Sequence, residues 1–280
     1  MVERAFVVEG GAGPISGLVR GEGRDVLLLH GGPGLSDYMG LVEGETGGWR
    51  ATRYQQRGLP PSTIEGPYSV ARHVADAVAV LDTMEVAQAV LLGHSWGGHL
   101  ALQLALARPD RVSAVVVVDA LGSVGDGGAP ALGQELRRRL PPQDLTRCEE
   151  IDRRLAEPGA GDADVLASLA LLWPSYFAEP AKAPPMPGEL RLSLACAGGT
   201  FASVMDELAD GNFAHRLQQL DVPVVVVLGE ASPMPLDVGK ETAALIPRSE
   251  TVVVPRAGHL PWHEQPGCLS QVLERVAVLG

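Results

Sequence analysis

The chain has 280 residues, enough for one large α/β domain or such a domain with an insertion, and too few for a multidomain assembly. Apolar residues make up 46% and charged residues 20%, which excludes the low-hydrophobicity signature of disorder. With 22 Lys and Arg against 34 Asp and Glu the formal net charge is -12, so nucleic acid and anionic membrane surfaces are poor expectations as partners.

The elements follow one another in a simple rhythm. Ala5 to Val8 and Ile15 to Val19 read as a hairpin joined by the glycine-rich stretch Gly10 to Pro14. Short runs rich in Val and Leu then recur at Asp25 to Leu29, Ala89 to Leu92, Val112 to Val118, Val222 to Leu228 and Thr251 to Val254. All but the last lack alternation, as strands buried on both faces do. Between them Val70, Val74, Val78 and Leu81 fall at helical spacing, and Leu100 to Ala107 is a helix apolar all round, which must be buried. The stretch from about Leu121 to about His215 breaks the rhythm with Gly and Pro clusters and helical patterns such as Leu132 to Leu140 and Val165 to Trp173. Residues 121–215 are therefore expected to form a helical cap inserted into a core of residues 1–120 and 216–280.

The N-terminus lacks a charged segment followed by a long apolar run, and no later run reaches the length of a membrane span, so a cytoplasmic protein is expected. Arg137, Arg138 and Arg139, the densest basic cluster, read as a solvated helix face. Cys148, Cys196 and Cys268 are odd in number, far apart and without C-x-x-C spacing, which points to free thiols rather than a disulfide framework or a metal site.

Three motifs carry chemistry. Gly93-His94-Ser95-Trp96-Gly97-Gly98 lies between the run ending at Leu92 and the buried helix. A G-x-S-x-G sequence in a strand-turn-helix context holds its serine at the apex of a sharp turn, hydroxyl exposed, close to a helix N-terminus. His30-Gly31-Gly32-Pro33-Gly34 follows the strand ending at Leu29, where a glycine-rich turn can aim N–H groups at a developing oxyanion; the N–H of Gly32 and of Trp96 are the expected donors. Ala257-Gly258-His259-Leu260-Pro261-Trp262 follows the last strand, and His259 suits the general base of serine catalysis, with His263 as the alternative.

These motifs, in this order, resemble the α/β-hydrolase fold family over nearly the whole chain. That resemblance implies a mostly parallel eight-stranded sheet flanked by helices, with a cap inserted after the sixth strand. The HGGPG turn, with Gln56-Arg57-Gly58 and Ser62, is similar in particular to the proline iminopeptidase branch, which reads D-Q-R-G-x-G-x-S there and removes N-terminal proline from peptides. Here Gln55 stands for the leading Asp and Pro60 for the second Gly. The branch's W-x-x-W-E cap element, whose glutamate helps hold the free amine, appears only as Trp173-Pro174-Ser175-Tyr176-Phe177.

In most of the family the triad acid follows the strand here spelled Val222 to Leu228, at a position that Ser232 occupies. Some members place it after the preceding strand, where Asp119 stands; Glu230 and Asp237 are the alternatives. The expected reaction is hydrolysis of a small ester, lactone, thioester or amide through an acyl-enzyme on Ser95, with His259 and Asp119 behind it and no metal or organic cofactor. An aminopeptidase remains the alternative within that class, and Asp206, Glu207 and Asp210 could supply a polar rim for a cationic substrate. The fold also serves cofactor-independent lyases, oxygenases and ligand-binding proteins, which Ser232 favours and an intact Ser95, His259 and Gly32 disfavour. The partner is a small-molecule substrate, and self-association into a homo-oligomer is left open.

Overall fold

A computed structural model describes residues 3–9 and 12–278 of the chain. Gly10 and Gly11, part of the glycine-rich stretch expected to join the first hairpin, lie outside the described residues.

Eight strands form one sheet: β1 (Glu3–Val8), β2 (Ile15–Arg20), β3 (Arg24–Leu29), β4 (Trp49–Tyr54), β5 (Ala89–His94), β6 (Val112–Val118), β7 (Val224–Gly229) and β8 (Ser249–Val254). Their spatial order is β1-β2-β4-β3-β5-β6-β7-β8. β2 runs antiparallel to β1 and β4, and every other pairing is parallel. β5 and β7 are buried at every residue, as uniformly apolar runs demand when helices cover both faces. β8, at the edge, keeps five of its six residues at least partly accessible, and only Val254 is buried.

The helices are α1 (Val70–Thr83), α2 (Trp96–Ala107), α3 (Ala129–Arg138), α4 (Pro142–Leu155), α5 (Asp162–Leu172), α6 (Leu194–Ala209), α7 (Asn212–Leu217), α8 (Leu236–Leu245), α9 (Pro261–Glu264) and α10 (Cys268–Val276). Side chains of a strand alternate between faces, so each central strand feeds two cores. Leu27, Leu91, Val115 and Val226 pack with α1, α2, α7 and α8 on one face. Val26, Leu92, Val116 and Val227 pack with α10 and the 3-10 turn at Met39–Glu45 on the other. Among the described residues no helix is long and apolar enough to cross a membrane.

Residues 121–215 contain helices but no strand, and by packing they divide in two. α3, α5 and the turn at Trp173–Tyr176 lie over the carboxyl edge of the sheet, where Leu132, Leu169, Trp173 and Tyr176 line a cavity, and α4 packs on α5. α6 and α7 instead join the core, placing Val204, Leu208, Phe213 and Leu217 in the cluster that also holds α1 and α2.

Candidate active site

The carboxyl ends of parallel strands are where loops from neighbouring strands converge. β3 ends at the glycine turn, β5 at Ser95 and β6 at Asp119, while the loop after β8 carries His259. The elbow after β5 closes tightly: a Cβ on Gly97 would lie 2.0 Å from the Leu29 carbonyl oxygen. Only glycine admits that approach, and the consequence is Ser95 at φ 55 and ψ -123, a conformation L-residues rarely hold. Ser95 accepts the first N–H groups of α2 on its own carbonyl, from Gly98 at 3.0 Å and His99 at 3.4 Å.

Ser95, Gly32 and His259 face one cavity of about 90 Å³. Its remaining walls are largely apolar, from Leu35, Leu132, Leu169, Trp173, Leu190 and Leu260. The backbone N–H groups of Gly32 and Trp96 have no hydrogen-bond partner among the described residues, the condition for donors that wait for an oxyanion. The Trp96 indole points elsewhere, donating to Gln56 Oε1 at 2.8 Å.

Asp119 sits behind the cavity, buried, with φ 42. Its Oδ2 accepts the Gly229 N–H at 3.0 Å, and its Oδ1 has no partner. The histidine loop crosses directly over Gly229, where a Cβ would meet the Gly258 oxygen at 2.1 Å. His259 Nδ1 is likewise buried without a partner. The two orphaned atoms thus belong to neighbours around one glycine, and a carboxylate oxygen and an imidazole N–H are each what the other lacks. Glu230 instead is exposed and accepts the Arg256 N–H at 2.9 Å. Asp237, with its side chain 87% exposed, lies beside Lys240. His263 packs against Phe177 and Trp262 and lines no wall of the cavity. Ser232, at the position usual for the acid, accepts the Met234 N–H, and its side chain partly opposes the upward shift of the Asp119 carboxyl.

Burial dominates the electrostatics. It raises the Asp119 carboxyl well above the ordinary carboxylate range, against the Gly229 N–H and Ser232 side chain. It lowers the His259 imidazole well below 6.5, and the neighbouring His94, its ring centroid 4.6 Å away, adds to the drop. His94 itself is pushed down to about 4.

A relay absent from the motifs joins the three loops. Gly31 N–H donates to Tyr38 Oη at 2.8 Å, Tyr38 lies 2.6 Å from His94 Nδ1, and His94 Nε2 lies 2.8 Å from the His259 carbonyl. A carbonyl only accepts, so His94 carries its proton on Nε2 and Tyr38 donates to Nδ1. On the far side, His259 N–H donates to the Tyr176 carbonyl at 2.7 Å, while Glu264 accepts from Ala178 and Gly258 N–H, clamping the histidine loop to the segment that follows α5.

The family-like Gln55-Gln56-Arg57 segment holds the scaffold. Gln55 accepts the Asp37 N–H and donates to the Leu35 carbonyl, Gln56 donates to the His30 carbonyl, and the buried Arg57 pairs with Asp76 of α1 at 2.6 Å. The three acids expected as a polar rim are not in the cavity wall: Glu207 accepts from Gln103 of α2, Asp210 accepts the Asn212 N–H, and Asp206 lines no part of it. Among the described residues no group of His, Cys, Asp and Glu is arranged to hold a metal ion, and the three cysteines are free.

Comparison with known proteins agrees with this architecture. Residues 26–266 match a family model described as alpha/beta hydrolase fold. A putative 2-succinyl-6-hydroxy-2,4-cyclohexadiene-1-carboxylate synthase of Bacillus subtilis (strain 168) is 24% identical over 266 residues, covering 86% of this chain and 90% of the relative. The putative carbamate hydrolase RutD of Escherichia coli (strain K12 / DH10B) is 26% identical over 243 residues, covering 84% of each. Among solved structures, an alpha/beta fold family hydrolase from Bacillus anthracis str. Sterne superposes with a TM-score of 0.75 at 16% identity, over 98% of this chain and 99% of that one. A proline iminopeptidase from Mycobacterium smegmatis gives 0.70 at 19% identity, over 99% and 98%. Eight mostly parallel strands, a serine at the apex of the β5–α2 elbow and a family match across most of the length mean that this chain belongs to the alpha/beta hydrolase fold family.

Proposed function

We propose that the protein is a serine hydrolase acting on a small ester, lactone, thioester or amide through an acyl-enzyme. The observation that carries this reading is Ser95, strained at the elbow and facing the same cavity as His259 and the free N–H of Gly32. Ser95 Oγ bonds to the acyl carbon as His259 takes the hydroxyl proton, and the developing oxyanion takes the N–H groups of Gly32 and Trp96. The leaving group departs with the proton returned by His259. Water then attacks by the same route, and the acyl–Oγ bond breaks to free Ser95. Asp119 holds the His259 tautomer and faces the imidazolium that forms.

The residues lining the cavity include no carboxylate, so a free ammonium has no partner beside the attacked carbonyl, and a neutral acyl group fits better than an N-terminal proline. A non-hydrolytic reaction on the same residues is the second reading. It is favoured by Ser232 at the usual acid position and by the relative from Bacillus subtilis, which is named a synthase.

Turnover of p-nitrophenyl acetate and proline p-nitroanilide by wild type, Ser95→Ala and Asp119→Asn tests the proposal, with organophosphonate labelling of Ser95 alongside. Ester turnover is expected in wild type, abolished by Ser95→Ala and reduced about 10³- to 10⁴-fold by Asp119→Asn. Wild type that neither turns over the ester nor takes the label would overturn hydrolysis. Cleavage of the proline anilide would restore the aminopeptidase.

A further inference from the structure

Two cavities meet across one layer of side chains. The cavity over Ser95, at about 90 Å³, is smaller than the roughly 150 Å³ engineered cavity that takes up one benzene, so it holds only a small acyl group. Beside it lies a groove of about 670 Å³ bounded by Phe6 and Leu18 of the β1–β2 hairpin. Tyr38, Leu41, Pro187 and Leu190 line both.

This wall stands on the oxyanion side of the site. Tyr38 and Leu41 follow the glycine turn in the chain, and the segment carrying Pro187 and Leu190 is hydrogen-bonded onto it. Ser36 N–H donates to the Arg191 carbonyl at 2.9 Å, Arg191 N–H to Ser36 Oγ at 3.0 Å, and Ser193 N–H to the Gly34 carbonyl at 2.8 Å. A leaving group must face His259 to receive its proton, so what crosses a wall built on the oxyanion loop is the acyl chain. The Tyr38 side chain is tied to Gly31 and His94 and cannot swing freely, whereas the Leu41 side chain makes no such bonds and the residue is 40% exposed. The groove's charges balance: Arg53 pairs with Asp37 at 2.6 Å, and Arg191 and Glu189 add one of each sign. The lining therefore carries no net charge, which suits a neutral chain better than a charged one.

We propose that the groove is an acyl-chain subsite, screened from Ser95 by Leu41 and Leu190, and that the protein takes neutral acyl groups whose chains run past that wall along the β1–β2 hairpin. Its assignment to the acyl end rests on the acyl-transfer reading above; the subsite itself does not.

The experiment has two readouts. The first is kcat/KM on p-nitrophenyl esters from acetate to decanoate for wild type, Leu190→Ala, Leu41→Ala and Leu169→Ala, the last touching only the small cavity. The octanoate-to-acetate ratio is expected to rise about tenfold in both wall variants and to change far less in Leu169→Ala, because added methylenes gain burial only where the wall opens. The second is calorimetric binding of 2-decanone and 2-butanone, which needs no turnover. The longer ketone is expected to bind more tightly to Leu41→Ala than to wild type and more weakly to Leu18→Trp, which fills the groove. A ratio and a ketone affinity that both ignore the wall and the groove would overturn the subsite. Chain-length-dependent ketone binding in a protein that hydrolyses no ester would uphold the subsite and sink the hydrolase reading instead.

Discussion

Ser95 and Asp119 both hold positive φ, and both stand where one strand end must turn into the site. Asparagine tolerates that backbone region, so Asp119→Asn is expected to keep the fold. It is even expected to gain stability relative to wild type as pH rises above about 4, the unfolded carboxyl pKa, because only the wild type then loses stability through a carboxyl whose folded pKa is raised; circular dichroism melts at pH 4 and pH 8.5 check this. His259 sets a second expectation. A general base works when neutral, and burial with His94 alongside depresses His259, so the acid limb of the kcat/KM profile falls below pH 6.5. A limb at or above 6.5 would contradict it. The motif residues were legible because strained turns demand particular residues at fixed spacing. Tyr38 was not, because its partner His94 comes from the loop after β5, which becomes a neighbour of the glycine turn only in the assembled sheet.

Among the elements, the strands buried on both faces were read from their unbroken Val and Leu runs, while β4 escaped. Its sequence, Trp49-Arg-Ala-Thr-Arg-Tyr, carries two arginines whose charges are met by Asp25 and Asp37, partners that β4 acquires only beside β3 and the glycine turn. A similar remote partnership caps α10. Glu45, buried in the turn at Met39–Glu45, accepts the N–H groups of Gly267, Leu269 and Ser270 at 2.7, 3.1 and 2.9 Å. A carboxylate at a helix N-terminus is favoured by both hydrogen bonding and the helix dipole. Glu45→Ala is therefore expected to cost about 2–3 kcal/mol in urea unfolding, with Glu45→Gln recovering part of it. A loss below about 0.5 kcal/mol, the size of an ordinary surface change, would refute the capping role.

Across the whole molecule, five histidines titrate abnormally for one reason. His30, His73, His94, His99 and His259 are buried and depressed, His73 and His99 to about 3 and His94 to about 4. Each stays neutral when folded and binds a proton when unfolded below about pH 6.5. The unfolded state then holds more protons, so stability rises with pH and falls as pH drops through 6.5, by up to about 1.4 kcal/mol per pH unit for each histidine. Urea midpoints at pH 7, 6 and 5 should decline steeply; a flat series would mean that these rings are solvated. From its sequence alone the chain determined its fold class, most of its strand and helix rhythm, and the tight turns after β3 and β5, since hydrophobic period and strained-turn chemistry are local properties. What only the tertiary structure decided is that the Asp119 carboxyl is buried against the Gly229 N–H while Glu230 and Asp237 stay exposed, that α6 and α7 pack into the core, and that Leu41 and Leu190 part the small cavity from the groove. Each of these is a meeting of residues far apart in the chain, set by how the sheet brings its loops together and by which groups that meeting buries.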